Sequence, residues 1–132
     1  MPPRTTAAVI DRFNYAFVHH EPDVLDDLVG EHCVMEAIQP APDGDRHEGR
    51  EACLAFWRAL AADHTTQFQP EDIAVAGDRA TIRWRYRFGD EPTDSVRGVN
   101  LMRVEDGRIV EALGYSKTAG EVPLATDSDA DK

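Results

Sequence analysis

The first half of the chain alternates helical and short extended patterns of apolar residues. Apolar side chains recur every three or four positions over residues 5–19 and again over residues 50–62, which predicts an amphipathic helix in each range. A shorter helical pattern covers residues 23–29 and ends at Gly30, a residue type that commonly follows a helix. Residues 33–38 have the sequence Cys-Val-Met-Glu-Ala-Ile, and they predict a first strand.

The second half of the chain has the period of two that is typical of strands. Strands are predicted over residues 68–75, 81–88, 96–104 and 108–116, and glycine-containing turns between some of them favour hairpins. The range 81–88 gives the clearest pattern, because isoleucine and aromatic residues alternate there with arginines. Residues 39–46, rich in proline, aspartate and glycine, predict a loop.

The order of these elements predicts an α+β fold with one domain. Three N-terminal helices would pack on one face of a strongly curved, mainly antiparallel sheet. The domain is predicted to cover residues 6–118. Residues 1–5 are predicted to be a frayed lead-in, and the acidic residues 119–132 a disordered tail.

The composition and net charge argue against nucleic acid and membrane surfaces as partners. The chain has 132 residues, 42% hydrophobic and 30% charged, and a net charge of −11. A strongly negative protein repels nucleic acid and anionic membrane surfaces. Neither a membrane span nor a signal peptide is apparent in the sequence, so we expect a cytoplasmic protein. Cys33 and Cys53 lie in apolar patterns, and we expect reduced, buried thiols.

Three segments carry a resemblance to a known superfamily. In order and spacing, VIDRFNYAFVHHEPDVLDDLVGEHCVMEA, HEGREACLAFW and VRGVNLMRVEDGRIVEALGYSK resemble nuclear-transport-factor-2-like proteins of the SnoaL-like kind, over residues 6–118. The resemblance implies a cystatin-like cone that encloses one small-molecule pocket. It also implies a homodimer that pairs through the outer sheet face, where Leu101, Leu113 and Tyr115 would lie. Its members include several enzyme classes, ligand carriers and association modules, so fold alone does not give the function.

Ketosteroid isomerases are the members of the superfamily that give the sharpest comparison. They use an aspartate base, a helix tyrosine and a protonated aspartic acid; the last is a worked example of a carboxylic acid kept neutral. The tyrosine position corresponds to Phe13, the base position to Ala37 and the acid position to Asn100. Only Asn100 can still donate a hydrogen bond to an oxyanion. We therefore expect steroid isomerase activity to be absent or feeble.

Glu36 is the candidate catalytic base, with two interpretations. It lies in a predicted strand among apolar neighbours, where burial would suit a general base. Strand alternation, however, puts it on the face opposite Ala37, where it would pair with an arginine of a neighbouring strand. A bulge near Ala37 would be needed to turn it inward.

Asn100 and a set of large side chains are the candidate ligand-binding residues. Asn100 interrupts an apolar strand, so its amide requires a partner or a ligand if that face is buried. Aromatic residues of the helices and of the strand over 81–88 could face it across the interior, although such stripes are more often core packing. The predicted substrate-binding residues are Phe13, Phe17, Trp57, Trp84, Tyr86, Asn100 and Met102.

The remaining polar patterns favour simple surfaces. Arg83, Arg85 and Arg87 would form a solvated face paired with carboxylates, with an anion site as the alternative. The histidines show no pair at the four-residue helical spacing of zinc motifs. We predict no metal and no cofactor.

These observations leave three functions open. The first is a cofactor-independent acid–base enzyme acting on a small apolar substrate, of the isomerase, cyclase, dehydratase or hydrolase class, with Glu36 as base and Asn100 and Tyr86 positioning the substrate. The second is a non-catalytic binding protein for a small hydrophobic ligand. The third is an association module that uses the outer face of its sheet.

Overall fold

The computed structural model describes residues 4–117, so most of the predicted frayed lead-in and the predicted tail over 119–132 lie outside the described residues. The described part contains two α-helices, one 3-10 helix and six strands. In chain order they are α1 (Thr6–Val18), the 3-10 helix (Pro22–Asp27), β1 (Val29–Glu36), β2 (Arg46–Glu48), α2 (Arg50–Ala62), β3 (Gln67–Ala76), β4 (Arg79–Arg87), β5 (Ser95–Glu105) and β6 (Arg108–Ser116).

Helix α1 begins and ends with defined hydrogen bonds. The Thr5 side chain accepts a hydrogen bond from the Ala8 backbone N–H at 3.1 Å, which caps the first turn. After the last turn, the two ring nitrogens of His20 contact the Ala61 carbonyl at 2.9 Å and the Gln67 side chain at 3.1 Å. The end of α1 is thereby attached to the end of α2 and the start of β3.

The chain immediately before α1 also makes defined contacts. The Arg4 guanidinium donates to the Asp27 carboxylate at 2.9 Å, to the Asp27 carbonyl at 2.6 Å and to the Gly107 carbonyl at 3.2 Å. These bonds attach the first described residues to the 3-10 helix and to the turn between β5 and β6. The predicted lead-in over 1–5 thus includes two residues, Arg4 and Thr5, that the structure places.

The second helix differs from its prediction. It is a 3-10 helix that ends at Asp27, and Val29 and Gly30 belong to β1 rather than to the helix and its end. A Cβ atom on Gly30 would lie 3.1 Å from the Ile109 carbonyl oxygen and 3.2 Å from the Val110 side chain. Gly30 therefore allows β1 to approach β6 closely, a role that its sequence context does not reveal.

The six strands form one sheet in the order β2-β1-β6-β5-β4-β3. Strands β1 and β6 are parallel, and every other neighbouring pair is antiparallel. The prediction of a mainly antiparallel sheet is confirmed. Strand β2 was not predicted, because three polar residues, Arg46 to Glu48, carry no apolar alternation. Strand β4 ends at Arg87, so Phe88, the last residue of the predicted strand, lies beyond the observed one and is exposed.

One face of the sheet, here called the core face, packs against the helices. In β4 it carries Ala80, Ile82 and Trp84, each no more than 4% exposed. The opposite face, here called the outer face, carries the arginines of the same strand. Two α-helices and the 3-10 helix with this sheet give the predicted α+β cone. None of the described helices has the length and apolar character needed to cross a membrane.

Candidate functional site

Asn100 and Met102 lie on the core face of the sheet. Residues directly opposite each other on paired strands share a face, and Asn100 is opposite Ile82 while Met102 is opposite Ala80. Met102 is 2% exposed, and Asn100 is half-buried. The structure thus brings both of these predicted binding residues beneath the helices.

The predicted aromatic residues form one continuous row across the interior. Ring centroids are separated by 5.1 Å for Trp57 and Phe13, 4.9 Å for Phe13 and Phe17, 5.8 Å for Phe17 and Phe68, 6.2 Å for Phe68 and Trp84, and 6.4 Å for Trp84 and Tyr86. Phe68, which links the helix rings to the sheet rings, was not among the predicted binding residues. Edge-on and tilted contacts at these distances are favourable for aromatic pairs.

Trp84 fixes the orientation of the Asn100 amide. The Trp84 indole N–H donates to Asn100 Oδ1 at 3.2 Å. An indole nitrogen can only donate, so the atom facing it must be the amide oxygen, and the NH2 group must point away from Trp84. Among residues 4–117 this NH2 group has no hydrogen-bonding partner, and it is not fully buried. Asn100 therefore presents an oriented, unused donor.

Small and half-buried residues lie at the same end of the sheet as the Asn100 amide. Gly114 is opposite Asn100 on β6, and a Cβ atom on it would lie 3.3 Å from Asn100 Oδ1 and 3.1 Å from the Ile38 side chain. At the same end of the sheet, Tyr86 is opposite Val96. Ile38, Tyr86 and Val96 are apolar or aromatic residues that pack against the core while remaining partly exposed. These side chains leave this end of the core face only partly covered.

Tyr86 already has a hydrogen-bonding partner. Its hydroxyl lies 2.8 Å from the Thr66 hydroxyl. Burial raises the pKa of Tyr86, and the Asp63 charge acts in the same direction while the Thr66 hydrogen bond opposes them. The phenol therefore stays neutral at physiological pH. It can position a bound molecule, and it is a poor base.

Glu36 lies on the outer face. Its register partners are Arg46 on β2 and Leu113 on β6, and Leu113 is itself opposite the exposed Leu101. The Glu36 carboxylate accepts a hydrogen bond from the Arg46 guanidinium at 3.0 Å. This is the arrangement of the arginine-pair interpretation. The structure does not bring Glu36 together with Asn100, because the two side chains leave the sheet on opposite faces.

Asn14 is a polar core residue that the sequence analysis missed. It is 5% exposed, and neither its amide oxygen nor its amide nitrogen has a partner among the described residues. Its position four residues after Ile10 and three before Phe17 would have placed it on the buried face of α1. A buried amide without a partner costs free energy, so it marks a place where a water molecule or a ligand group would be stabilised.

His47 is a second missed residue. It is opposite Met35, so it faces the core side at the β1–β2 edge, and its ring lies 5.0 Å from the Phe56 ring. Its Nε2 atom is buried and has no partner within residues 4–117. No sequence signal could have placed it, because β2 itself was not predicted.

The cysteines do not form a reactive site. Both are free and buried, and the Cys53 thiol lies 3.5 Å from the Cys33 carbonyl oxygen. Burial raises the pKa of both thiols, which keeps them protonated and unreactive. Within the described range, no three His, Cys, Asp or Glu side chains are grouped closely enough to hold a metal ion.

Two open depressions lie outside the space between the helices and the core face. One, of about 420 Å³, lies beside the middle of β4, the start of β5 and the end of β6, mostly on the outer face. The other, of about 750 Å³, lies at the start of α2 beside Gly49, Arg50 and Arg108. The predicted pocket among the aromatic rings, which pack against one another, therefore stays a prediction.

The outer face of β4 and β5 carries the predicted arginine surface. Glu71 accepts two hydrogen bonds from Arg97, at 3.0 and 2.8 Å, and lies 4.0 Å from Arg85. The hydrogen bond from Arg97 is the main cause that lowers the pKa of Glu71, although partial desolvation opposes it. Of the arginines predicted to pair with a carboxylate, Arg85 does so, and Arg97, which was not among them, pairs with the same carboxylate.

Solved structures with this fold are numerous, and three are instructive. An NTF2-like protein of unknown function from Mesorhizobium loti is 57% identical, with a TM-score of 0.81 over 86% of this chain and 91% of that one. A candidate ketosteroid isomerase from Kribbella flavida is 20% identical, with a TM-score of 0.73 over 93% and 85% of the two chains. An LEH-like epoxide hydrolase from M. tuberculosis is 18% identical, with a TM-score of 0.67 over 89% and 83%.

The last two similarities concern the fold alone. A comparison with curated proteins gave no match. The model of the SnoaL-like domain family matches residues 10–112, a range that includes all the candidate residues of the core face. The chain therefore belongs to the SnoaL-like domain family.

Proposed function

We propose that this protein binds a small, mainly apolar molecule that carries one hydrogen-bond acceptor. The ligand would enter at the end of the cone near Ile38, Tyr86 and Val96, and its acceptor would meet the NH2 group of Asn100. The observation that carries the proposal is the Trp84–Asn100 hydrogen bond, because it orients an otherwise unused donor on an aromatic core face. Apolar sites with a few oriented polar groups are typical of small-molecule binding.

Binding is favoured over acid–base catalysis because the described residues directly opposite this donor include no base. The register neighbours of Asn100 across the sheet are Ile82 and Gly114, neither of which ionises. Glu36 lies on the outer face with Arg46. The structural neighbours described as an isomerase candidate and an epoxide hydrolase share the fold, but within residues 4–117 no carboxylate forms a hydrogen bond with this donor. We expect no appreciable turnover of a β,γ-unsaturated ketosteroid.

A matched pair of probes tests the role of Asn100. 2-Acetonaphthone and 2-ethylnaphthalene have similar shapes, but only the ketone offers an acceptor. We expect the wild type to prefer the ketone by about 1–3 kcal/mol, which is the range for a buried hydrogen bond whose loss leaves a group unpaired. Titrations followed by calorimetry would measure both dissociation constants.

Two variants make the test specific. Asn100→Leu should abolish the preference for the ketone while preserving a cooperative unfolding transition. Met102→Leu, a volume-conserving change on the same strand and face, should keep the preference. Equal affinity of the wild type for both probes, or an unchanged preference in Asn100→Leu, would contradict the proposal.

Self-association is a second candidate function, favoured by a different observation. The outer face exposes Leu101 at 42% and Tyr115 at 53%, and Leu101 lies directly opposite Leu113. In a twofold dimer the same patch meets itself, so a contact centred on Leu101 and Leu113 would bury apolar surface. In such a dimer the arginines of the outer face would lie at the periphery of the contact.

Light scattering at micromolar concentration tests this candidate. A dimer mass is expected for the wild type and a monomer mass for Leu101→Glu, because the twofold symmetry would bring two added carboxylates together at the centre of the contact. Ile73→Glu is the matched control, because Ile73 is 40% exposed but lies on β3, away from the patch. A monomeric wild type would remove the candidate.

A further inference from the structure

His20 lies where the ends of both α-helices and the start of β3 meet. Its Nδ1 atom lies 2.9 Å from the Ala61 carbonyl oxygen near the end of α2, and its Nε2 atom lies 3.1 Å from the Gln67 side-chain oxygen. We propose that His20 is held there as a doubly protonated imidazolium cation, and that loss of its proton to water loosens the turn between α2 and β3. The proposal does not depend on the function proposed above.

The Gln67 amide determines which atom faces the His20 ring. The amide nitrogen of Gln67 donates to the Val18 carbonyl at 3.2 Å and to the Phe68 carbonyl at 3.0 Å. Backbone carbonyl oxygens only accept hydrogen bonds, so the atom that faces both of them must be the amide nitrogen. The atom that faces His20 is therefore the amide oxygen, which is an acceptor.

Both ring nitrogens of His20 thus face acceptors. The Ala61 carbonyl oxygen only accepts, and so does the amide oxygen of Gln67. A neutral imidazole has one N–H group and one bare nitrogen, so it can donate to only one of these two oxygens. The bare nitrogen would then lie against an oxygen with no proton between them. Only the imidazolium ion forms both hydrogen bonds.

The helix ends around His20 favour a positive charge. The last carbonyl groups of a helix carry a partial negative charge, which stabilises a cation placed near them. Neither α1 nor α2 has a basic residue in its own last turn. His20 contacts the Ala61 carbonyl of α2 directly, and the Gln67 amide connects it to the Val18 carbonyl of α1. One imidazolium can therefore serve both helix ends.

The residues after α2 place a carboxylate and a second imidazole near His20. Hydrogen bonds from Thr65 are the main cause that lowers the pKa of Asp63, and the charges of His20 and His64 act in the same direction. Asp63 is therefore a stable counter-charge at neutral pH. The exposed His64 ring stacks on the His20 ring with centroids 4.4 Å apart. Simultaneous charges on both rings would be unfavourable, so protonation of His20 disfavours protonation of His64.

Further ionisable groups lie next to His20 in the chain and on β4. His19 and Glu21 flank it in the sequence, and Arg87 on β4 is directly opposite Gln67. Tyr86, also on β4, stays neutral because burial raises its pKa. The negative charge of Glu21 favours the imidazolium and the positive charge of Arg87 opposes it. The two acceptors on the ring nitrogens therefore decide the protonation state.

The backbone of His20 needs the support of these ring contacts. Its φ angle is 55°, in the left-handed region that few residues other than glycine, asparagine and aspartate adopt. Loss of one ring contact would remove part of that support and release the turn that follows α2. The turn includes Thr66, whose hydroxyl lies 2.8 Å from the Tyr86 hydroxyl. Proton loss would therefore affect the end of the core face where Tyr86 is partly exposed.

NMR spectroscopy of the ring nitrogens in the full chain tests the protonation state. A histidine in an unfolded chain is mostly neutral at about pH 7.5, because the ordinary histidine pKa is about 6.5. At this pH we expect the ¹⁵N shifts of the folded chain to show protons on both ring nitrogens of His20. The same chain in urea should show a mostly neutral ring. A bare ring nitrogen on His20 in the folded chain at this pH would overturn the proposal.

Two variants test whether the acceptors are the cause. Gln67→Met removes the side-chain oxygen with little change in shape, so a neutral ring with its proton on Nδ1 satisfies the Ala61 carbonyl. The doubly protonated fraction of His20 should then fall several-fold. His64→Asn removes the stacked ring but keeps both acceptors, so His20 should stay doubly protonated. An unchanged fraction in Gln67→Met, or an equal loss in His64→Asn, would contradict the assigned cause.

The dependence of stability on pH provides a second measurement. An imidazolium that the fold favours stabilises the folded state at low pH, and this contribution is lost as the proton leaves with rising pH. Between about pH 6 and about pH 8.5, the unfolding equilibrium constant of the wild type should rise several-fold more than that of His20→Asn. Asparagine does not titrate, and it tolerates the left-handed backbone. Equal pH dependence of the two proteins in urea denaturation would refute the stabilising role.

Amide hydrogen exchange tests the loosening of the turn. Local opening changes the protection of the amides in the segment that opens. After correction for intrinsic exchange rates, protection over residues 64–68 should fall several-fold between about pH 6 and about pH 8.5, while protection in β5 and β6 should stay nearly constant. The fall should be absent in His20→Asn. Equal changes in the turn and in β5 and β6, or no change in the turn, would show that the proton does not control it.

Discussion

Alternate residues of β4 form two faces with different environments, one buried against the helices and one exposed and charged. On the core face, Trp84 is 4% exposed and its indole holds the Asn100 amide. On the outer face, the neighbouring Arg83 and Arg85 project toward solvent and toward Glu71. The core face is governed by packing and by buried hydrogen bonds, and the outer face by charge. Substitutions on the two faces should therefore change the free energy of unfolding by different amounts, and removal of an aromatic ring should cost more on the core face than on the outer face.

The largest effect is expected from the two aromatic residues near Gly98. Trp84→Ala should lower the free energy of unfolding by about 3–5 kcal/mol, because it leaves a cavity in the packed core. Tyr115→Ala removes a side chain that is 53% exposed, and it should cost less than about 1 kcal/mol. Urea denaturation followed by circular dichroism would measure both changes. Similar losses for the two variants would show that the outer face is also structurally packed, as in a dimer.

Smaller changes in stability, of opposite sign, are expected when the amides of Asn14 and Asn100 are removed. Asn14 is buried with both amide atoms unpartnered among the described residues, so Asn14→Leu should raise the free energy of unfolding by about 1 kcal/mol or more. Asn100→Leu should instead lower it by about 1–3 kcal/mol, because the Trp84 N–H loses its acceptor. Chemical denaturation of both variants provides the comparison. A loss of stability in Asn14→Leu would mean that a water molecule or a ligand satisfies this amide.

The smallest expected effect is the loss of stability at low pH that arises from the Glu71–Arg97 pair on the outer face. Because the hydrogen bond from Arg97 lowers the pKa of Glu71 in the folded state, this pair stabilises the fold above the ordinary glutamate pKa of about 4.3. The contribution is lost as the pH falls through the lower, folded value. Arg97→Gln should raise the Glu71 pKa, and a carboxyl NMR titration would measure it. Arg103→Gln is the control, and a similar rise there would contradict the assignment to Arg97.

The amphipathic elements could be predicted from sequence because their patterns report burial directly. The alternation of aromatic residues and arginines in β4 predicted both faces correctly, and the helical spacing predicted α1 and α2. The Asn100 position followed from one polar residue in an apolar strand. In each case the polar or apolar character of residues close together in the sequence is enough to indicate which side is buried.

Features that depend on distant chain segments could not be predicted. Strand β2 exists because Arg46 to Glu48 pair with β1, and Gly30 is required by the approach of β6. The orientation of the Asn100 amide depends on Trp84, which lies on another strand. Contacts of this kind arise from tertiary packing, and local patterns do not contain them.

The parallel pairing of β1 with β6 has a consequence for synthesis on the ribosome. β1 lies between β2 and β6, so β1 and β2 join the other strands of the sheet only through β6, the last of the described strands to be made. Contacts between such distant segments form late and slowly. While the ribosome still holds β6, the edge of β1 lacks its neighbour. We therefore expect the domain to complete its folding only after translation has passed Ser116, with chaperones protecting that edge until then.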